Sequence, residues 1–166
     1  MSQCVGVDQL TSHPAFAGLS ERGLAALQAV CSVRHCRVGQ ILCSADLIPS
    51  EILLIISGSA RLLVRDQGRL GTLDRLSSGA FVGLASLLRA QPCEEEAAAS
   101  DLEVLVLPDA LVLQLLRAES SFAHWCATQL FSSELAALLQ MLMRANPRQQ
   151  GSLRDLVVDA YRQARL

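Results

Sequence analysis

The stretch Leu76-Ser77-Ser78-Gly79-Ala80-Phe81-Val82-Gly83-Leu84-Ala85-Ser86-Leu87-Leu88-Arg89 decides how this chain reads. A polar Ser-Ser-Gly turn followed by Ala80-Phe81-Val82 predicts a short strand. From Gly83 alternation stops and helix formers take over, so a short helix is expected to interrupt a β pattern. Before it, β-favouring segments recur with Gly or polar turns between them. Val33 to Val38 alternates, Gly39 punctuates, and Ile41-Leu42-Cys43 follows. Ser44-Ala45-Asp46 and Pro49 lead into Glu51-Ile52-Leu53-Leu54-Ile55-Ile56, and Ser57-Gly58 turns into Ser59 to Arg65. Asp66-Gln67-Gly68 turns again into Arg69 to Leu76. After Pro92, Ala97 to Leu107 reads as one strand ending at Pro108. Many short strands with regular turns predict an all-β sandwich, jelly roll or barrel.

Helices flank this β region. Residues 1–13 show little periodicity and read as a lead-in. Ser20 is a candidate N-cap with Glu21 in the first turn, where an acid suits the helix dipole. Leu24, Leu27 and Val30 supply an apolar face up to about Cys31. Helix is expected again from Asp109 to Arg117, then from Ser121 to Ala145, with Leu135, Leu138, Leu139 and Leu142 at i, i+3, i+4, i+7. Asn146-Pro147 is a stop signal, Gln149-Gln150-Gly151-Ser152 reads as a linker, and Leu153 to Leu166 is patterned for a further helix. The domain division is therefore 1–13, 14–146 and 147–166. The pattern running through to Leu166 gives the expectation of a fragment of a longer protein.

Composition narrows the chemistry. With 166 residues, 51% hydrophobic and 18% charged, the chain is long and apolar enough for one real core, and disorder is excluded as its main state. The 31 Leu and 22 Ala against 4% aromatics make that core aliphatic and leave few platforms for stacking bases. All 14 basic residues are Arg. Without Lys, P-loop hydrolysis, Schiff-base chemistry and protein-kinase phosphotransfer lose a required ammonium. A net charge of −2 offers no basic footprint for nucleic acid. No apolar run approaches the ~18 residues of a membrane span, and no leader pattern indicates secretion. The six Cys lack any CxxC spacing, so they read as reduced thiols of a cytoplasmic protein, with Cys36 and Cys43 packed as small hydrophobes. His13, His35 and His124 share no ligand spacing and read as structural; Phe122 and Trp125 read as packing anchors. No nucleophile–base grouping or paired-carboxylate site stands out, so the expectation is a non-enzyme with no metal.

One helix, a Gly-punctuated β-roll containing one short helix, then further helices: this order resembles the cyclic-nucleotide-binding domain. The residues carrying the resemblance are His13-Pro14-Ala15-Phe16, Leu19-Ser20, Gly39 with Ile41-Leu42, Ala45-Asp46, Ile56-Ser57-Gly58 with Arg61, the stretch Leu76 to Leu88, and Asp101 to Pro108. It covers roughly Phe16 to Leu139. It implies a mainly β fold, a double-stranded β-helix or jelly roll with an N-terminal helix, a short inserted helix and C-terminal helices. In such a family the cyclic phosphate sits where the sixth strand feeds the short helix, whose first N–H groups point at the anion. A Glu directly after the Gly holds the ribose, and an Arg several residues later pairs with the phosphate.

This sequence keeps Gly83 but has Leu84 at the Glu position, and Pro92 is followed by Cys93-Glu94-Glu95-Glu96 instead of an Arg. The candidate ligand-binding residues implied by the resemblance are thus Gly83, Leu84, Ala85, Ser86, Arg89, Cys93 and Glu94, in a degenerate phosphate cassette. Cyclic AMP and cyclic GMP are not expected to bind, and no cofactor is expected. Arg89 reads either as a substitute anion partner or, more simply, as a charge paired with a nearby acid. Glu94-Glu95-Glu96 reads as an exposed, soluble loop in preference to a partner-binding or metal-binding patch, since three adjacent carboxylates in one strand-like stretch cannot all point at one metal. The stretches Leu42 to Pro49, Gly83 to Glu94 and Phe122 to Cys126 resemble a divergent subgroup, the N-terminal domains of cyanobacterial peptidase-containing ABC exporters. The expectation is a non-catalytic regulatory or sensor module on the cytosolic side of such a transporter. Its partners would be domains of the same larger protein, with membrane contact only through that parent. The leucine stripe of the last helix packs on the roll or forms a homodimer seam. A second reading is the sensor half of a catabolite-activator-type transcription regulator, with a cyclic nucleotide or another small anion still as its ligand; this fragment itself is too short after Pro147 for direct DNA binding. A third is a cysteine-based redox or metal sensor on the same roll.

Overall fold

A computed structural model describes residues 6–66, 68–129 and 131–145, of which 66 and 140–145 as backbone alone. The expected mainly β roll forms as two four-stranded antiparallel sheets. The strands are β1 (Ser32–Cys36), β2 (Ile41–Cys43), β3 (Glu51–Ser57), β4 (Ala60–Asp66), β5 (Arg69–Leu76), β6 (Phe81–Val82), β7 (Glu95–Ala98) and β8 (Leu102–Pro108). One sheet runs β1-β8-β3-β6, the other β2-β7-β4-β5.

The apolar run of β3 is explained by burial on both faces. Leu53 and Ile55 point between the sheets with Cys36, Cys43, Val82, Val104 and Val106. Ile52 and Leu54 point outward onto a helical layer with Phe16, Leu27, Leu105 and Phe122. A strand covered on both sides has no polar face and reads as a continuous run. The helices of that layer are α1 (Val7–Thr11), α2 (Glu21–Val30), α4 (Asp109–Ala118) and α5 (Ser120–Thr128). The inserted helix α3 (Leu84–Arg89) follows β6, and α6 (Ser132–Ala145) covers the other sheet. There Leu135 and Leu139 pack on Leu62, Val64 and Leu73, while Leu138 is half exposed. The leucine stripe therefore packs on the roll along one edge. Leu142 lies where no side chain is described.

Local capping follows the sequence at α2. The Gly23 N–H donates to the Ser20 hydroxyl oxygen at 3.1 Å, and Ser20 in turn donates its N–H to Glu119 at 3.1 Å. His13 ties the N-terminal segment to the β5–β6 turn. Its Nδ1 accepts the Ala15 N–H at 3.1 Å, which leaves Nε2 as donor to the Gly79 carbonyl at 2.8 Å. The ring lies among Phe16, Phe81 and Trp125, with centroids 5.3–5.7 Å away, so Trp125 serves as a packing residue. His35 and His124 are exposed.

Three segments differ from the sequence reading. Residues within 1–13, read as a lead-in, include the one-turn helix α1, whose Leu10 is buried against the Phe16 cluster. The single strand expected over 97–107 is two strands, β7 and β8, in different sheets. The break falls at 99–101, where the Ser59 N–H donates to the Ser100 hydroxyl and the Val38 N–H to the Asp101 carboxylate, both at 2.9 Å. The long helix expected over 121–145 is also two, α5 and α6. Gln129 takes an extended conformation (φ −80°, ψ 141°), and the Thr128 hydroxyl and the Gln129 amide donate to the Trp125 carbonyl, closing α5. The expected stop at Asn146-Pro147, the linker at 149–152 and the helix from Leu153 lie outside the described residues.

The β3–β4 turn depends on Gly58. Its φ is +88°, and a Cβ there would lie 2.3 Å from the Asp101 carbonyl oxygen. Gly58→Ala is expected to lower the unfolding free energy by about 2 kcal/mol through backbone strain and that clash, read from the midpoint of urea denaturation.

Candidate functional site

Gly83 turns the chain out of β6 into α3 with φ +86°, and a Cβ there would meet Pro49 Cγ at 2.8 Å. Only Gly takes this conformation freely, and the neighbouring proline blocks any side chain. α3 lasts six residues and ends at Ala90, which is left-handed at φ +54°. Leu84, Ala85 and Ser86, its first turn, are buried.

Ser86 organises the segment between α3 and β7. Its N–H donates to Glu94 Oε2 at 3.0 Å and its hydroxyl donates to the same oxygen at 2.9 Å. The hydroxyl oxygen accepts the Cys93 N–H at 3.1 Å, and the Gln91 N–H donates to the Ser86 carbonyl at 3.2 Å. The chain after α3 thus folds back over the helix start, and Glu94 is carried to the N–H groups of the first turn. Burial raises its carboxyl above the usual range, against the lowering effect of the Ser86 N–H and hydroxyl and the N–H groups of Gly83 and Ala85.

β7 starts at Glu95, two residues earlier than the Ala97 expected, and alternation then separates the three acids. Glu94 and Glu96 point inward at 2% exposure each. Glu95 points outward, 3.8 Å from Arg65. The sequence reading of an exposed acidic loop is therefore corrected: two of the three carboxylates are interior. Glu96 lies on the central strand of its sheet, opposite Cys43 of β2 and Leu62 of β4. Its carboxyl is raised well above the ordinary range by burial first and by the charge of Glu94 second. Two buried carboxyls facing each other cannot both ionise cheaply. Burial and the two glutamates also push the Cys43 thiol up. Burial likewise raises the thiols of Cys93, Cys31, to about 12, and Cys126, to about 11, so these are poor nucleophiles at neutral pH.

The remaining candidates separate. Leu84 is fully buried in the helical-layer core with Ile52 and Phe81. Arg89 reaches from α3 toward α6: its Nη1 lies 3.5 Å from the Glu134 carbonyl, and its charge acts on the Glu134 carboxyl and on the Cys93 thiol. Gly83, Ala85, Ser86, Cys93 and Glu94 are brought together. Cys43 and Glu96 join them and were missed by sequence reasoning. The available signal was i, i+2 alternation through Glu94 and Glu96, which needed the true start of β7. Beside this cluster a cavity of about 320 Å³ opens between β4, β5 and α6, lined by Ser44, Asp46, Arg65, Cys93, Glu95 and Ser133 among others. Its volume suits a small ligand. Its charged lining is two carboxylates and one guanidinium.

Comparison with known proteins agrees with this architecture. The family profile described as "Cyclic nucleotide-binding domain" matches residues 33–119, just over half of the chain. No curated protein matches the chain. Among solved structures, the catabolite activator protein of Thermus thermophilus is 25% identical with a TM-score of 0.56, over 80% of this chain and 60% of that one. The N-terminal domain of a transcriptional regulator from Streptomyces coelicolor is 19% identical with a TM-score of 0.55, over 86% and 95%. The regulatory subunit of a cAMP-independent protein kinase A from Trypanosoma brucei is 16% identical with a TM-score of 0.57, over 73% and 49%. The chain thus spans about half the length of the trypanosome subunit.

Because burial and Glu94 raise the Glu96 carboxyl well above its unfolded-chain value, the native state binds more protons than the unfolded chain above pH 4.5. Stability is then expected to fall as pH rises from about 4.5 through the folded-state range, by up to about 1.4 kcal/mol per pH unit for each proton. Glu96→Gln keeps the shape without the charge and is expected to flatten that slope, measured by urea denaturation from pH 5 to pH 8.

Proposed function

The chain belongs to the cyclic nucleotide-binding domain family, and on that premise we propose that it is a regulatory domain whose phosphate cassette is filled by its own Glu94. The observation that carries this reading is the Glu94 carboxylate, an anion of the chain itself, accepting the Ser86 N–H and hydroxyl at the start of α3. A cyclic phosphate would have to displace it and then lie beside the displaced Glu94 carboxylate. A carboxylate about 4 Å from a phosphate costs ~1 kcal/mol in water and ~4 kcal/mol at an effective dielectric near 20. The Arg89 guanidinium, the cation on α3, is turned toward the Glu134 carbonyl of α6. Leu84, sunk in the core, offers the ribose no partner.

A regulatory domain of this kind acts on what is attached to it. We take 14–146 as the sensing unit and 147–166 as the link to a following segment. The parent favoured by the stretches Leu42 to Pro49, Gly83 to Glu94 and Phe122 to Cys126 is a peptidase-containing ABC exporter, with this module on its cytosolic side. Among the described residues no helix is long and apolar enough to cross a membrane, so the membrane segments would belong to the rest of that parent. The similarity to the Thermus catabolite activator supports the alternative, a transcription regulator's sensor half. The coding sequence downstream distinguishes them: a peptidase and transporter favour the first, a helix-turn-helix the second.

Isothermal titration of the folded protein with cyclic AMP and cyclic GMP to millimolar concentration tests the filled cassette. The expected result is no binding heat. A micromolar dissociation constant for either nucleotide overturns the proposal.

A further inference from the structure

Cys43, Glu94 and Glu96 are all buried, and one ligand atom from each, the thiol sulfur and two carboxylate oxygens, lies within 4.8 Å of the others. Strand pairing puts them there. Cys43 is the cross-strand partner of Glu96, and Glu94 precedes β7 on the same inward face. Two carboxylates in a protein interior call for a cation or for protons. Glu94 is supplied with donors by Ser86. Glu96 Oε2, by contrast, is buried and has no hydrogen-bond partner. Leu62, opposite Glu96 on β4, is apolar, and Arg89 reaches α6 instead.

We propose that Cys43, Glu94 and Glu96 form a site for a thiophilic divalent cation of the zinc class, against the sequence expectation of no metal. The donor set selects the class. One sulfur and two carboxylates suit zinc or cobalt, whereas calcium and magnesium take oxygen ligands in larger number. Around a tetrahedral zinc the ligand atoms stand about 3.4–3.6 Å apart, so side-chain adjustments of about an ångström close the site. Three protein ligands leave a fourth position for water or for the nearby Ser86 hydroxyl. A cavity adjoins the cluster, with Ser44 and Cys93 in its wall, the sequence neighbours of Cys43 and Glu94. The cation would tie β2 to β7, and through Glu94 to the start of α3. The pH-dependent stability attributed to Glu96 belongs to the metal-free protein. These three side chains would hold the cation whatever the fate of cyclic nucleotides, so metal and nucleotide titrations fail separately.

The test is anaerobic titration of the reduced, chelator-stripped full chain with Co²⁺, followed by Zn²⁺. The expected result is one equivalent bound with a thiolate-to-cobalt charge-transfer band, bleached by Zn²⁺. Cys43→Ser is expected to lose that band and Cys93→Ala to retain it, with circular dichroism reporting the fold of each. Glu96→Gln, which leaves every thiol in place, is expected to weaken Co²⁺ binding by about tenfold or more. Absence of a thiolate band in the wild-type chain overturns the site. So does a band that survives Cys43→Ser, and so does unchanged affinity in Glu96→Gln.

Discussion

The hydrogen bonds from Ser86 to the buried carboxylate of Glu94 are the constraint on which this domain's site depends. They close the start of α3 with an anion from the same chain, fold residues 90–94 back over the helix, and set where β7 begins. Because β7 begins where it does, Glu96 is turned inward beside Cys43, and Glu95 outward to Arg65. One local interaction thereby fixes both where Glu94 sits and which way Glu96 of β7 is turned.

The consequence is an inversion of charge. A cassette that presents N–H groups suits an anion, and here the anion is a side chain. Behind it stands a second carboxyl with an oxygen that finds no donor. Such a site has the electrostatics of a proton or cation receptor laid over the architecture of an anion receptor. Leu84, which follows Gly83, is itself part of the helical-layer core.

The cassette has a mechanical connection as well. α3 reaches α6 through Arg89 and the Glu134 carbonyl, and Ser132 of α6 donates to Asp74 of β5 at 3.3 Å. Changes at Ser86 and Glu94 are therefore two short steps from the helix that covers the outer sheet. A buried polar cluster thus stands at one end of the short helix α3 and a contact with α6 at the other.

The roll, its turns, the inserted helix and the Ser20 cap were legible in the amino-acid order alone, because each rests on local chemistry: alternation, Gly and polar turns, and a hydroxyl before a helix. Where β7 parts from β8 and α5 from α6 was not, since those breaks are made by contacts distant in the chain or closed by side chains. Ser59 meets Ser100, Val38 meets Asp101, and two side chains close on the Trp125 carbonyl. The interior placement of Glu94 and Glu96 likewise came from the folded chain. A run of three acids carries no local sign of which face it presents. The register of β7 between β2 and β4 supplies it, and a shift of one residue would have sent Glu95 inward in their place.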